Sequence, residues 1–154
     1  MKLRSHQVAR SAYQGVQRWQ EFKKKKEYGA LAHKLPVMIL QNGLSQATGF
    51  LLAKANSGDA QNEHGALLDD LAQVFRESDF FDVARDVTCD VVCESGGALH
   101  ELVLAANMME TMRITRRALE ASAWLRRYVQ GVLKVDASGQ TQDESTQQVG
   151  AASV

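Results

Sequence analysis

The sequence predicts an all-α fold, a compact helical bundle of about five to six helices. Three observations carry that expectation. Pro36 is the only proline among 154 residues. The stretches Leu3 to Lys26, Leu35 to Ala55, Ala66 to Glu77 and Leu99 to Lys134 lack the alternation of apolar and polar residues that half-buried strands require. In the first of them, apolar residues recur at helical spacing. With 45% hydrophobic and 23% charged residues the composition is that of a globular domain. One domain is expected over residues 1–134, followed by a flexible polar tail over 135–154.

Taken in order, Val8, Ala9, Ala12, Val16 and Trp19 fall in one arc at 3.6-residue spacing, with Arg4, Gln7, Arg10, Gln14, Arg18 and Lys25 opposite. That is an amphipathic first helix. Pro36 fixes φ and lacks a donor, which suits a first helical turn, so a corner is expected between a short Tyr28–Lys34 segment and the next helix. That second helix is apolar almost all round, through Val37, Ile39, Leu40, Leu44, Phe50, Leu51 and Leu52. It is expected to be the central, most buried helix, with Gly43 and Gly49 allowing close neighbours and Gln41 and Asn42 in need of hydrogen-bond partners.

Asn56 to Gly65 is rich in turn formers and reads as a surface loop, after which a helix resumes near Ala66. Ser95-Gly96-Gly97 marks a break. Asn107 with Glu110 three residues later has the form of a capping box that starts the last helix, although one continuous helix fits the pattern too. From Val135 the chain turns to small and polar residues.

Zero net charge conceals a segregation. Residues 1–40 hold Lys2, Arg4, Arg10, Arg18, Lys23, Lys24, Lys25, Lys26 and Lys34 against Glu21 and Glu27, whereas Lys54 to Glu110 carries twelve acids against Lys54, Arg76 and Arg85. Such asymmetry points to an electrostatic partner. In the last helix Arg113, Arg116, Arg117, Trp124, Arg127 and Lys134 share one face, interrupted by Glu120, while Leu125, Val129 and Val132 point away. Guanidinium forks match phosphate oxygens and an indole can stack on a base, so this face is a candidate RNA contact. Solvated arginines, with Trp124 packed on another subunit, give the competing reading. The Lys23, Lys24, Lys25, Lys26 run is a second candidate, beside Arg10 and Arg18; its competing reading is a helix-end charge favoured by the macrodipole.

No catalytic home is visible. His6, His33, His64 and His100 are scattered, and the sequence has no P-loop, zincin motif or nucleophile elbow. His100 and Glu101 are neighbours in sequence and diverge on a helix. Cys89 and Cys93 have the wrong gap for a redox or zinc half-site and read as reduced core thiols. No cofactor or metal is expected. Residues 1–20 alternate polar and apolar without a signal-like core, and the apolar stretch to Ala53 is interrupted by Gln41, Asn42, Ser45, Gln46 and Thr48, so a cytoplasmic protein is expected.

Glu27-Tyr28-Gly29-Ala30-Leu31-Ala32-His33-Lys34-Leu35-Pro36, continuing through Gln41-Asn42-Gly43-Leu44 to Phe50-Leu51, resembles the signature of the small-subunit family of type III-B (Cmr) CRISPR effector complexes. A second similarity runs from Arg113 through Ala118-Leu119 to Ala123-Trp124-Leu125-Arg126-Arg127-Tyr128. Together they span most of residues 27–133. The chain departs from the pattern at Met112, where an aromatic is expected, and in its polar tail.

The resemblance implies a helical bundle that stacks in several copies beside the backbone subunits. It would line the groove holding the guide RNA–target RNA duplex and bridge toward the large polymerase-cyclase-like subunit, without being the nuclease. The resemblance also gives Gln41 and Asn42 a job, hydrogen-bonding the backbone at the Tyr28–Pro36 corner. Two further readings are the small subunit of a type III-A (Csm) complex and a helical adaptor that binds only proteins; an unrecognised helical nuclease is a third.

Overall fold

A computed structural model describes residues 3–57, 62–77 and 95–141. Among these lie six α-helices: α1 (Arg4–Gln17), α2 (Lys25–Asn42), α3 (Leu44–Ala55), α4 (Glu63–Glu77), α5 (Gly96–Ala105) and α6 (Met108–Tyr128), the last running into a π-helical turn, Val129–Leu133. The all-α expectation holds.

Local hydrogen bonds set two of the helix starts. Ser95 accepts from the Ala98 amide and opens α5, so the Ser-Gly-Gly sequence is a helix start. Asn107 accepts from the Glu110 amide at 3.0 Å while the Glu110 carboxylate accepts from the Asn107 amide at 2.9 Å, a reciprocal capping box. With Ala106 extended before it, α5 and α6 are two helices, not one.

The second helix differs from expectation. α2 runs straight through Pro36, and the break falls at Gly43. Pro36 removes one helical hydrogen bond at a cost of about 3 kcal/mol, but Tyr28, Leu31, Ala32, Leu35 and Ile39 bury the same stripe on both sides of it and hold the helix together. Gly43 has φ 84° and ψ 160°, a conformation essentially confined to glycine, so the chain turns there whatever precedes it. Leu40, Val37 and Phe50, expected in the core, are exposed, whereas Leu44 is buried. Gln41 and Asn42 are exposed too and do not bond a corner.

The central helix is α4, which packs against every other described helix. Its narrow stripe of Leu67, Leu68, Leu71, Val74 and Phe75 is fully covered. An all-round apolar sequence was a poorer guide than a continuous stripe, because three of the large residues counted for the helix after Pro36 face solvent.

Past Lys134 the chain stays packed as far as Thr141. Val135 is buried, pairs with Thr141 in a β-bridge, and offers its carbonyl to Nε2 of His33 at 3.0 Å. The folded part therefore passes the expected boundary at 134; residues 142–154 lie outside the described residues, as do Cys89 and Cys93. No described helix is long and apolar enough to cross a membrane.

Candidate nucleic-acid interface

α6 buries Ile114, Ala118, Ala121, Ser122 and Leu125 and turns its basic side outward. Arg113, Arg116 and Arg127 are exposed, as expected. Arg117 is less free: it is half-buried and donates to Glu120 at 3.1 Å, one turn along the helix. That pairing neutralises the acid that interrupts the face.

Trp124 lies at the border between this face and the core. Its ring stacks on Tyr128 with centroids 5.7 Å apart, and the Arg127 guanidinium sits 5.3 Å from the indole centroid. Tyr13 of α1 meets Tyr128 edge-on at 5.3 Å. Arg10, exposed one turn earlier on α1, is a helical neighbour of Tyr13. Helical spacing thus puts Arg10 on the Tyr13 side of α1, and the sequence did not reveal that Tyr13 meets α6.

Arg18 belongs to another face. Five residues after Tyr13, it is turned about 140° around the helix and points to α4, where it donates to Asp70 at 2.9 Å and to Gln73. Asp70 is buried, yet it is held by three donors: Arg18 on one oxygen, and Trp19 Nε1 at 3.0 Å and the Tyr28 hydroxyl at 2.6 Å on the other. Burial pushes its carboxyl above the usual carboxylate range, with those three donors opposing the shift. The same burial, with the Asp70 charge beside it, pushes the Tyr28 phenol well above its ordinary value.

Lys24 also reaches α4, to Glu63 at 3.5 Å. Burial tends to raise the Glu63 carboxyl, but a backbone hydrogen bond, Lys24 and His64 outweigh it and hold the group below its usual value. Part of the charge segregation seen in the sequence is therefore resolved inside the molecule, between the basic N-terminal segment and acidic α4.

The lysine run does not sit where a helix dipole favours it. α1 ends at Gln17, and Lys23 and Lys24 lead into α2, whose first turn contains Lys25 and Lys26. Cations are disfavoured at that end of a helix; Glu27 complements it within the first turn, and Glu63 of α4 does so through Lys24.

Of the motif residues, Tyr28, Gly29, Leu35 and Leu44 are buried and Lys34 is exposed. Gly29 lies so close to Val135 that a Cβ there would stand 2.6 Å from a Val135 methyl. These residues build the bundle. The two histidines weighed as chemical groups are also structural: His33 holds Val135, and His100 Nδ1 lies 2.8 Å from the Thr48 hydroxyl, while Glu101 is exposed. No group of three His, Cys, Asp or Glu among the described residues is placed to hold a metal ion.

Comparison with known proteins agrees with this arrangement. The family model described as CRISPR-associated protein (Cas_Cmr5) matches residues 4–132. The CRISPR system Cmr subunit Cmr5 of Thermus thermophilus is 31% identical over 134 residues, covering 87% of this chain and 99% of the relative. The crystal structure of a CRISPR-associated Cmr5 family protein from the same organism superposes with a TM-score of 0.68 at 31% identity, covering 86% of this chain and 99% of that one. With the matched region running from the first turn of α1 into the π turn that follows α6, the chain belongs to the CRISPR-associated Cmr5 family.

Proposed function

We propose that the chain is the non-catalytic small subunit of a type III-B Cmr ribonucleoprotein in the cytoplasm, and that it stacks in several copies to line the groove holding the guide RNA–target RNA duplex. The observation that carries the RNA part is the outward row of Arg113, Arg116 and Arg127 on α6, whose one interrupting acid is already engaged by Arg117. A duplex presents a dense line of phosphates, and uncompensated guanidinium groups are matched to it. Lys23, exposed just ahead of α2, supports the same reading, since a polyanion would offset positive charge at a helix end that disfavours it.

Exposed Leu104, Met108, Met109 and Met112, around the turn from α5 into α6, supply apolar surface for contact with the other partners, namely the backbone subunit, the large polymerase-cyclase-like subunit and further copies of itself. The Cmr5 family match favours this complex over its type III-A (Csm) counterpart.

The test is target-RNA binding by the reconstituted complex across a salt series, with Arg113, Arg116 and Arg127 changed together to Gln. Three lost phosphate contacts should flatten the slope of log affinity against log salt by about two to three units. An unchanged slope in a fully assembled complex would show that the face is merely solvated. Lost assembly of a folded variant would assign it to protein contact. The purified chain should also leave RNA intact with magnesium or manganese present.

A further inference from the structure

The aromatic residues beside the arginine row have a geometry that phosphate contact alone does not use. On α6, Tyr128 is four residues and Arg127 three residues after Trp124, so the two lie on opposite sides of it around the helix. The order running across the surface from α1 is therefore Tyr13, itself exposed, then Tyr128, Trp124 and Arg127, with neighbouring groups 5.3 Å, 5.7 Å and 5.3 Å apart. The inner members are partly buried against the core, which fixes the row. Its outermost member is an exposed guanidinium already lying over an indole.

We propose that this row is a stacking ledge that takes one unpaired nucleobase of single-stranded RNA onto the Arg127–Trp124 layer. The inference rests on the RNA reading above and names the form of RNA the site selects. Paired bases are stacked on their neighbours inside a duplex and offer the protein only their edges and backbone, whereas a splayed base has a free face that aromatic rings and guanidinium planes take up. Arg116 and Arg113 lie about 12 and 16 Å back along the helix axis at 1.5 Å per residue, within reach of phosphates a few nucleotides away on the same strand. Tryptophan, tyrosine and arginine are also common in protein interfaces, but charge is depleted at the centre of those surfaces. Here uncompensated cations flank the aromatic row, which favours a polyanion.

The experiment uses the full chain and two fluorescein-labelled RNAs of equal length, an oligoadenylate and a strand whose central nucleotides lack bases, titrated at about 50 mM salt, where phosphate contacts are strong. The oligoadenylate should bind roughly tenfold more tightly, the size of one base–aromatic stack. Arg127→Lys, which keeps the charge and loses the plane, and Trp124→Leu should each bring the two strands close to equality. Trp124→Leu should leave affinity for the base-less strand within about twofold, and Arg127→Lys should weaken the oligoadenylate by a clearly larger factor than the base-less strand. Because Arg127 is exposed, the lysine variant tests the ledge even if Trp124→Leu folds poorly.

Equal affinity of the unaltered protein for both strands would overturn the ledge and leave the RNA reading standing; no binding of either strand would overturn both. A tenfold preference that survives both substitutions would place the stack elsewhere and, with assembly onto the partner subunits weakened, would assign this row to protein contact.

Discussion

The Tyr28 hydroxyl donates to the Asp70 carboxylate across 2.6 Å inside the core, joining α2 to α4 at an acid also gripped by Arg18 and Trp19, the two residues that follow α1. Three helices are thereby referred to one carboxylate. Apolar packing tolerates small slips of one helix along another, but directional bonds to a single buried group do not. Gly15 makes room for the arrangement, since a Cβ there would stand 3.1 Å from the Asp70 carboxyl carbon.

Removing the acceptor should be costly. Asp70→Ala leaves the Tyr28 hydroxyl and the Trp19 indole without their shared partner and is expected to destabilise the fold by about 3–5 kcal/mol. Arg18→Ala should cost less than about 1 kcal/mol, because the Arg18 side chain is 58% exposed and water screens its pairing. Urea unfolding of the two variants gives the comparison; equal losses would mean that Asp70 is held chiefly by its surface arginine.

The pH dependence of this cluster has a definite sign. An unfolded tyrosine ionises near pH 10, whereas burial pushes the Tyr28 phenol well above that value. Above about pH 10 the folded state therefore keeps a proton that the unfolded state releases. The stabilisation is complete below the unfolded value and is lost as pH rises toward the folded one, by about 1.4 kcal/mol per pH unit at most. Tyr28→Phe should lose about 1–2 kcal/mol at neutral pH and show a shallower alkaline decline by one proton. Parallel declines in the two proteins would contradict the buried phenol.

Leu40 and Leu44 are close in sequence but should respond oppositely to truncation. Leu44 is 3% exposed and Leu40 71% exposed. Leu44→Ala should destabilise by about 2–5 kcal/mol through lost burial and a residual cavity, whereas Leu40→Ala should change stability by no more than about 0.5 kcal/mol. Thermal and urea melts of the isolated protein distinguish them, and a large loss at Leu40 would place the Gly43 turn wrongly.

Gly29 should be intolerant of even one methyl group. Gly29→Ala drives a Cβ into Val135, and overpacking of that kind costs about 1–3 kcal/mol. Adding Val135→Gly removes both the methyl at 2.6 Å and the Val135 Cβ at 2.8 Å, so the double variant should be more stable than the sum of the two single losses predicts. Simple additivity would mean that the segment after Lys134 shifts aside freely.

Periodicity made the helices legible, and side-chain chemistry made the start of the last one legible at Asn107, whereas Ser95-Gly96-Gly97 read only as a break. The extent of α2 was hidden, because a proline's local preference can be outweighed by tertiary packing along an unbroken buried stripe. The acids from Asp59 to Glu110 form one block in sequence, yet Asp70 occupies a position three residues after Leu67 and one before Leu71, in the middle of a buried stripe. That misplaced acid, together with the polar tips of Trp19 and Tyr28, was the signal available for the buried hub. The arginine row was legible because a single helix carries it. The association of Tyr13 with Tyr128 was not, since nothing in sequence spacing couples residues from opposite ends of a chain.

That last association has a bearing on biosynthesis. N-terminal segments emerge first from the ribosome, so Tyr13 is made long before the residues it leans on. A chain released before Trp124 carries a lone tyrosine on α1, without the indole, the guanidinium or the second phenol of the row. Partial products therefore lack this surface altogether, and only a completed chain can present it.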